Sequence, residues 1–269
     1  MKIDNLLIVV TFHYIEERLD NLLKISSQFK LLADRVNTVI VTNTSDEQHQ
    51  KKISDIFDSQ VELFVPESLT HPYRLTWCHF EIFKDRFKKD SSITHFMYLE
   101  DDMLIQPNNI SYWLKGREDL KSFGLIPSFC RYELRDNLKF SVDNVEIKKL
   151  EELKSISVTD EYAYVNLIES YQAMYLLDRE LAEEHLFDPD TKVSKWYGNI
   201  NDDKWAREQA AQGMIFTNIP ADFISRCLVG FNKIKRKIDP DALIHHTTNN
   251  YTTMPNTKHG KTLVDDLIL

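Results

Sequence analysis

The sequence predicts an α/β fold with a mostly parallel central sheet flanked by helices, followed by a less regular C-terminal half. Short apolar runs alternate with amphipathic helical patterns through the first hundred residues. Strands that are separated by helical patterns pair in parallel through right-handed crossovers. Hydrophobic residues make up 42% of the 269 positions, which is enough for a large core.

The first half supplies four predicted strands and three predicted helices. The strands are runs rich in β-branched and aromatic residues, at 6–12, 36–41, 61–65 and 94–99. The helices have apolar residues at helical spacing, at 16–30, 48–57 and 75–87. The small polar residues at 42–46 favour a turn and an N-cap before the second of these helices.

The second half is less regular. Its predicted strands are at 125–129, 145–147 and 171–176, and its predicted helices are at 178–186 and 202–212, with Gly213 at the expected C-cap. The polar tail at 247–259 is expected to be a mobile flap over the site. We therefore expect one domain over 1–269, with a regular half at 1–105 and a less regular half with the C-terminal flap at 106–269.

Composition and charge exclude several classes of protein. The net charge of −9 argues against non-specific binding to nucleic acid, which needs a positive surface. With six glycines and no glycine-rich phosphate motif, a classical dinucleotide loop or P-loop is excluded. The three cysteines are widely spaced and indicate neither a disulfide framework nor a zinc site. The first apolar stretch is too short for a signal peptide, so we expect a cytoplasmic protein with at most peripheral contact at the inner membrane face.

One local run of positive charge stands out from this acidic chain. Four of the five residues at 233–237 are Lys or Arg, and this run could touch an anionic membrane surface or an anionic substrate. A solvated turn is the commoner explanation of such a run.

The tripeptide Glu100-Asp101-Asp102 is the most informative motif. It follows the apolar run Phe96–Leu99, where a buried strand is expected to end and face a cleft. Carboxylates there, together with the distant pair His245-His246, suit a Mn²⁺ or Mg²⁺ ion that also takes phosphate oxygens. The alternatives are a solvated loop or a helix N-cap for the acids, and hydrogen-bonded core residues for the histidines.

This layout resembles the GT-A glycosyltransferases, enzymes that move a sugar from a nucleotide diphosphate to an acceptor. The resemblance rests on the alternating first half, on the DxD-like acids and on the late histidines. It implies a GT-A, Rossmann-like sheet, with a nucleotide-sugar-binding half at 1–105 and an acceptor-binding half at 106–269. It also implies that Asp102 is the main metal ligand. Glu100 or Asp101 would assist at the metal or the donor, and His245 or His246 would complete the coordination.

Other strand ends and one loop are expected to contact the donor. Thr11, His13 and Tyr14 follow the first strand and Asn43 follows the second, where the resemblance places the base and ribose. The segment at 71–79 combines aromatic, cationic and imidazole groups, and its Arg74 is expected to pair with a phosphate or a sugar hydroxyl. The alternative explanation for the strand-end residues is that polar side chains are common in turns.

An inverting transferase also needs a general base for the acceptor hydroxyl, whereas a retaining one does not. The candidate is Glu208 in the predicted helix 202–212, with Asp203 as a substitute. A surface ion pair with a residue one helical turn away is the alternative role for Glu208, and helix capping is the alternative role for at least one of Asp202 and Asp203.

The sequence thus favours a metal-dependent glycosyltransferase that uses Mn²⁺ or Mg²⁺ and a UDP- or GDP-linked sugar. The acceptor would be a carbohydrate or lipid-linked glycan in surface polysaccharide synthesis. The alternatives are a metal-dependent phosphohydrolase or nucleotidyltransferase, and a non-catalytic carbohydrate-binding protein.

Overall fold

The computed structural model describes residues 2–58, 60–69, 71–189 and 206–269. Its strands, in chain order, are β1 Ile3–Phe12, β2 Ala33–Thr42, β3 Glu62–Phe64, β4 His95–Glu100, β5 Met103–Leu104, β6 Ile126–Pro127, β7 Cys130–Arg135, β8 Leu138–Ser141, β9 Ser155–Ser157, β10 Tyr162–Val165, β11 Met174–Asp178, β12 Cys227–Asn232, β13 Lys237–Ile238, β14 Leu243–His246 and β15 Thr262–Leu263. Its helices, in chain order, are α1 Leu19–Ser26, α2 Phe29–Leu32, α3 Glu47–Ser54, α4 His79–Lys89, α5 Pro107–Leu120, α6 Arg179–Phe187, α7 Ala206–Ala210 and α8 Asn250–Thr253.

The chain forms two compact units, each built from separate stretches of sequence. The first unit comprises Lys2–Met103 and Ala173–Gly213, and the second comprises Leu104–Gln172 and Met214–Leu269. The predicted functional division near residue 105 stays a prediction. No helix among the described residues is both long and apolar enough to cross a bilayer.

The first unit contains a five-stranded sheet in the order β11, β4, β1, β2, β3. The pairs of β1 with β2, of β1 with β4 and of β2 with β3 are parallel, whereas β11 is antiparallel to β4. Parallel strands with intervening helices confirm the predicted α/β fold. Strand β1 is buried over almost its whole length because both faces of the sheet are covered, as its unbroken apolar run indicates.

The predicted strands of the first half all occur, each displaced by at most three residues at an end. The predicted helix 16–30 is divided into a 3₁₀ turn at Glu16–Arg18, then α1 and α2. The hydroxyls of Ser26 and Ser27 donate to the carbonyls of Leu23 and Lys24 where α1 ends. Such local bonds compete with the helical ladder, which explains the interruption.

The second unit contains two further sheets. One has the order β13, β12, β10, β9, with β6 parallel to β12. The other includes β15, β8, β7 and β14, in which β14 is parallel to β7 and the remaining pairs are antiparallel. The strand predicted at 145–147 is wrong, because these residues form no strand. The adjacent Lys148 makes one isolated bridge, to Ile268.

Candidate functional site

The carboxyl ends of β1, β2 and β4 meet at one edge of the first unit's sheet. In the strand register Phe12 pairs with Thr42, and Thr11 pairs with Glu100. Ligands of open α/β sheets bind beyond this edge. The polar residues that follow these strands are therefore the candidate site.

The acidic tripeptide occupies the end of β4 as predicted. Glu100 is the last strand residue, and Asp101 and Asp102 form the following turn with only 3% and 7% of their surface exposed. Carboxylates are almost never buried to this extent without a compensating partner. The acids are thus held in place by the protein and do not belong to a solvated loop.

Arg18 is the compensating partner, a role that the sequence pattern did not indicate. It ends the 3₁₀ turn after β1, and its Nε lies 2.7 Å from one carboxylate oxygen of Asp101. Its terminal nitrogen contacts the other oxygen of Asp101 and lies 3.4 Å from Asp102. Such a bidentate pair fixes the orientation of Asp101.

The acids at this edge shift the pKa values of Asp101 and Arg18. One guanidinium faces Glu100, Asp101 and Asp102. Burial, and then the charge of Asp102, raise the pKa of Asp101 to about 7, although Arg18 opposes the shift. Burial lowers the pKa of Arg18, but the charge and the hydrogen bond of Asp101, together with the charges of Asp102 and Glu100, raise it overall. A cation bound beside Asp101 and Asp102 would favour the charged forms of both carboxyl groups.

A divalent ion fits these side chains only if a ligand supplies part of its coordination. No group of three or more His, Cys, Asp or Glu side chains within the described ranges is arranged to hold a metal. Mg²⁺, however, is usually bound by one or two carboxylates together with phosphate oxygens and water. Asp102 and Glu100 would hold such an ion, whereas Asp101 is committed to Arg18.

A second cluster follows β1 and β2. The Tyr14 backbone nitrogen donates to Asn43 Oδ1 at 2.7 Å, and the Tyr14 ring stacks on His49 with centroids 4.1 Å apart. A ring nitrogen of His49 lies 3.2 Å from the hydroxyl of Thr44. His49 was not predicted, since it lies within helix α3, and no spacing rule aligns it with Tyr14.

The remaining predicted residues at these strand ends differ in exposure. Thr11 lies within β1 and is buried, whereas His13 is exposed in the loop after the strand. The predicted N-cap of α3 is confirmed, because Asp46 accepts a hydrogen bond from the His49 backbone nitrogen at 3.0 Å.

The segments that carry Arg74 and Glu208 meet in the first unit, although more than a hundred residues separate them. Arg74 lies in the 3₁₀ turn Pro72–Trp77, and Trp77 Nε1 donates to the carbonyl of Ala206 in α7 at 2.9 Å. The Arg207 guanidinium lies 5.0 Å from the Tyr73 ring centroid. The turn Pro72–Trp77 and helix α7, which were predicted separately as parts of the site, thus contact each other.

Glu208 is partly exposed, with 29% of its side chain accessible and one oxygen 3.7 Å from Arg207. Its role as a base stays a prediction. Asp203 lies outside the described residues.

The two candidate histidines belong to the second unit, at the end of β14. His246 Nδ1 lies 2.7 Å from an oxygen of the fully buried Glu133. His245 Nε2 lies 3.0 Å from Asn249 Oδ1, and its ring stacks on Tyr132. Their role as metal ligands stays a prediction.

Glu133 is a further residue that the sequence did not indicate. Its carboxylate also accepts hydrogen bonds from the backbone nitrogens of Tyr251 and Thr252, at 3.2 and 2.7 Å. Burial raises the pKa of Glu133, but the bonds from His246 and these two nitrogens lower it below its ordinary value overall. Glu133 is therefore ionised at neutral pH.

Comparisons with known proteins do not identify a family. No family model matches the chain, and no curated protein matches it. A solved structure of CMP:2-keto-3-deoxy-manno-octonic acid synthetase complexed with CTP has a TM-score of 0.38 and 12% sequence identity, and the match covers 73% of this chain and 83% of that chain. A likeness of this size does not identify a function.

Proposed function

We propose that the protein is a metal-dependent glycosyltransferase of the GT-A type that takes its sugar from a nucleotide diphosphate. One observation carries the proposal. Glu100, Asp101 and Asp102 lie at the carboxyl end of β4, two of them nearly buried, with the Arg18 guanidinium bound to Asp101. A protein that buries this much like charge at a ligand-binding edge favours a cationic ligand complex.

The acids would bind the donor through its metal complex. Asp102 would be the main ligand of Mn²⁺ or Mg²⁺, Glu100 would assist, and Arg18 would hold Asp101 in a fixed orientation. When bound, the ion would stabilise the negative charge of a leaving diphosphate. A role for His245 or His246 as a further ligand rests on the resemblance to GT-A enzymes alone.

Other residues at this edge would orient the donor and the acceptor. Tyr14 and Asn43, already joined by a hydrogen bond, would contact the base and ribose of a UDP- or GDP-linked sugar together with Thr11 and His13. Arg74 would pair with the diphosphate or a sugar hydroxyl.

Glu208 would accept the proton of the acceptor hydroxyl, with Asp203 as its substitute. The acceptor would be a glycan or a lipid-linked glycan, met in the cytoplasm. We place this activity in surface polysaccharide synthesis.

The proposal is tested by incubating the full chain with Mn²⁺ and a panel of UDP- and GDP-linked sugars. Release of the nucleotide diphosphate is measured. We expect release from at least one donor, and loss of release in EDTA. Pyrophosphate release from a nucleoside triphosphate and a sugar would instead indicate a nucleotidyltransferase. Glycan binding without release from any donor would indicate a carbohydrate-binding protein.

The variant Glu208→Gln tests the assigned base. A positioned general base contributes about 10²- to 10⁴-fold to a rate, so we expect turnover to fall by about that factor while donor affinity stays unchanged. Glu183→Gln, an exposed glutamate on α6, is the matched control and should retain full turnover. Unchanged turnover in Glu208→Gln would remove this residue from the mechanism.

A further inference from the structure

The basic run at 233–237 forms the turn of a β-hairpin in the second unit. Strands β12 and β13 pair so that Phe231 lies opposite Ile238, and both are buried. The backbone nitrogen of Lys235 donates to Asn232 Oδ1 at 2.8 Å, and Arg236 has a positive φ of 52°. The turn therefore has a defined conformation, anchored by apolar residues beneath it.

The cations of this turn are only partly compensated within the protein. Lys237 pairs with Asp265, and Lys233 Nζ lies 3.4 Å from the hydroxyl of Ser157. Lys235 and Arg236 are exposed, and neither forms an ion pair with any acid in the part of the chain that the structure describes. Two positive charges thus face solvent on a chain whose net charge is −9.

Acidic residues lie close to the turn and reduce its positive electrostatic potential. The backbone nitrogen of Lys233 donates to the carbonyl of Glu161, in the turn that joins β9 to β10, and Asp160 and Glu161 are exposed there. Attraction to an anionic surface by charge alone would consequently be weak.

An exposed apolar side chain lies among these cations. Ile234 is 67% exposed, more than any other large hydrophobic residue described. The hairpin does not need it for stability, because Phe231 and Ile238 already anchor the strands. An isoleucine between basic side chains suits the interface of a bilayer, where cations meet lipid phosphates and an apolar side chain enters the acyl boundary. A soluble polyanion would use the cations alone.

We propose that the turn at 233–237 docks the protein on the surface of an anionic bilayer. The charge of the turn selects anionic lipid, and Ile234 distinguishes a bilayer from a soluble polyanion. The inference is independent of the proposed glycosyl transfer, because it rests on residues that have no part in the candidate site.

The test is sedimentation of the full chain with vesicles of pure phosphatidylcholine and with vesicles of equimolar phosphatidylcholine and phosphatidylglycerol. We expect binding to the anionic vesicles only, and weaker binding at high salt. Each cation near a membrane surface changes partitioning roughly fivefold, so Lys235→Glu with Arg236→Glu should reduce it at least about 25-fold. Ile234→Ser should also reduce it while the melting temperature stays unchanged.

The matched control is the double variant Lys24→Glu with Lys154→Glu, which makes the same change in charge at exposed positions outside the hairpin. It should sediment with anionic vesicles almost as the unaltered chain does. The proposal is overturned if the unaltered chain binds neither vesicle or both equally, or if the hairpin and control variants behave alike. It is also overturned if soluble polyphosphate binds as well as vesicles do and Ile234→Ser has no effect.

Discussion

At the scale of single residues, two buried histidines of the first unit have opposite surroundings. His79 is fully buried, and its two ring nitrogens contact the carbonyl of Thr76 and the hydroxyl of Tyr175. His185 is 2% exposed, and neither of its ring nitrogens has a hydrogen-bond partner among the residues that the structure describes. Burial, and then the charge of Lys84, lower the pKa of His185 to about 3.

We predict that His185→Leu stabilises the protein. Burying an unpaired polar group costs about 1–3 kcal/mol, so the free energy of unfolding should rise by about 1 kcal/mol. His79→Leu is the matched comparison and should lower it by about 2 kcal/mol, because the substitution leaves the Tyr175 hydroxyl without its partner. Urea unfolding at neutral pH measures both, and a destabilised His185→Leu would contradict the prediction.

His185→Leu should also change how the free energy of unfolding depends on pH. Unfolded His185 binds a proton near pH 6.5, whereas the folded side chain, with its pKa lowered to about 3, does not. His185 therefore lowers the free energy of unfolding as the pH falls from about 6.5 toward 3. The loss from this one group is at most about 1.4 kcal/mol per pH unit. Asp101 has the opposite effect on the free energy of unfolding. Its pKa is raised to about 7, so as the pH falls the folded protein binds this proton before the unfolded chain does. His185→Leu should thus be less sensitive to acid than the unaltered chain.

At the scale of elements, Glu133 joins β7 to the C-terminal segment of the second unit. Its carboxylate holds His246 on β14 and accepts from the first backbone nitrogens of α8. Lys261 donates to the carbonyls of Tyr251, Thr252 and Met254 from the other side of the same helix. The segment predicted to be a mobile flap is thus attached at both ends of α8, and its mobility stays a prediction.

We predict that Glu133→Ala destabilises the second unit strongly. Removing one partner of a buried charged pair costs about 3–5 kcal/mol. Urea unfolding should show this loss, and hydrogen exchange of residues 250–263 should accelerate most. Glu146→Ala removes an exposed partner of Lys148 and should change stability by less than about 1 kcal/mol. Equal effects of the two variants would show that Glu133 does not anchor the segment.

The elements of the first half could be predicted because parallel strands covered on both faces are continuous apolar runs. Strand β4 is the clearest case, and its acids lie where the run ends. Short antiparallel strands of the second unit carry no such signal, and the run at 145–147 has the composition of a strand without a neighbour to pair with. Arg18 and Glu133 could not be predicted, because their partners are 83 and 113 residues away and only the fold brings them together.

At the scale of the whole molecule, the chain returns to its first unit after residue 172 and leaves it again after residue 213. This return adds β11 to the sheet edge beside β4 and brings α7 to the turn that carries Arg74. A division of function at one point in the sequence therefore does not coincide with the structural units. The surface formed by the turn Pro72–Trp77 and α7 contains residues from both stretches of the first unit.

Titration calorimetry of UDP and GDP into the full chain, with Mn²⁺ and with EDTA, tests the central claim most directly. A divalent ion held beside β4 predicts binding of at least one nucleotide that Mn²⁺ strengthens tenfold or more, which corresponds to about 1.4 kcal/mol. Asp102→Asn should abolish this dependence, and Asp85→Asn, which alters an exposed pair with Lys89, should preserve it. Nucleotide binding that is equal in Mn²⁺ and EDTA, or Mn²⁺ dependence that persists in Asp102→Asn, would contradict the account.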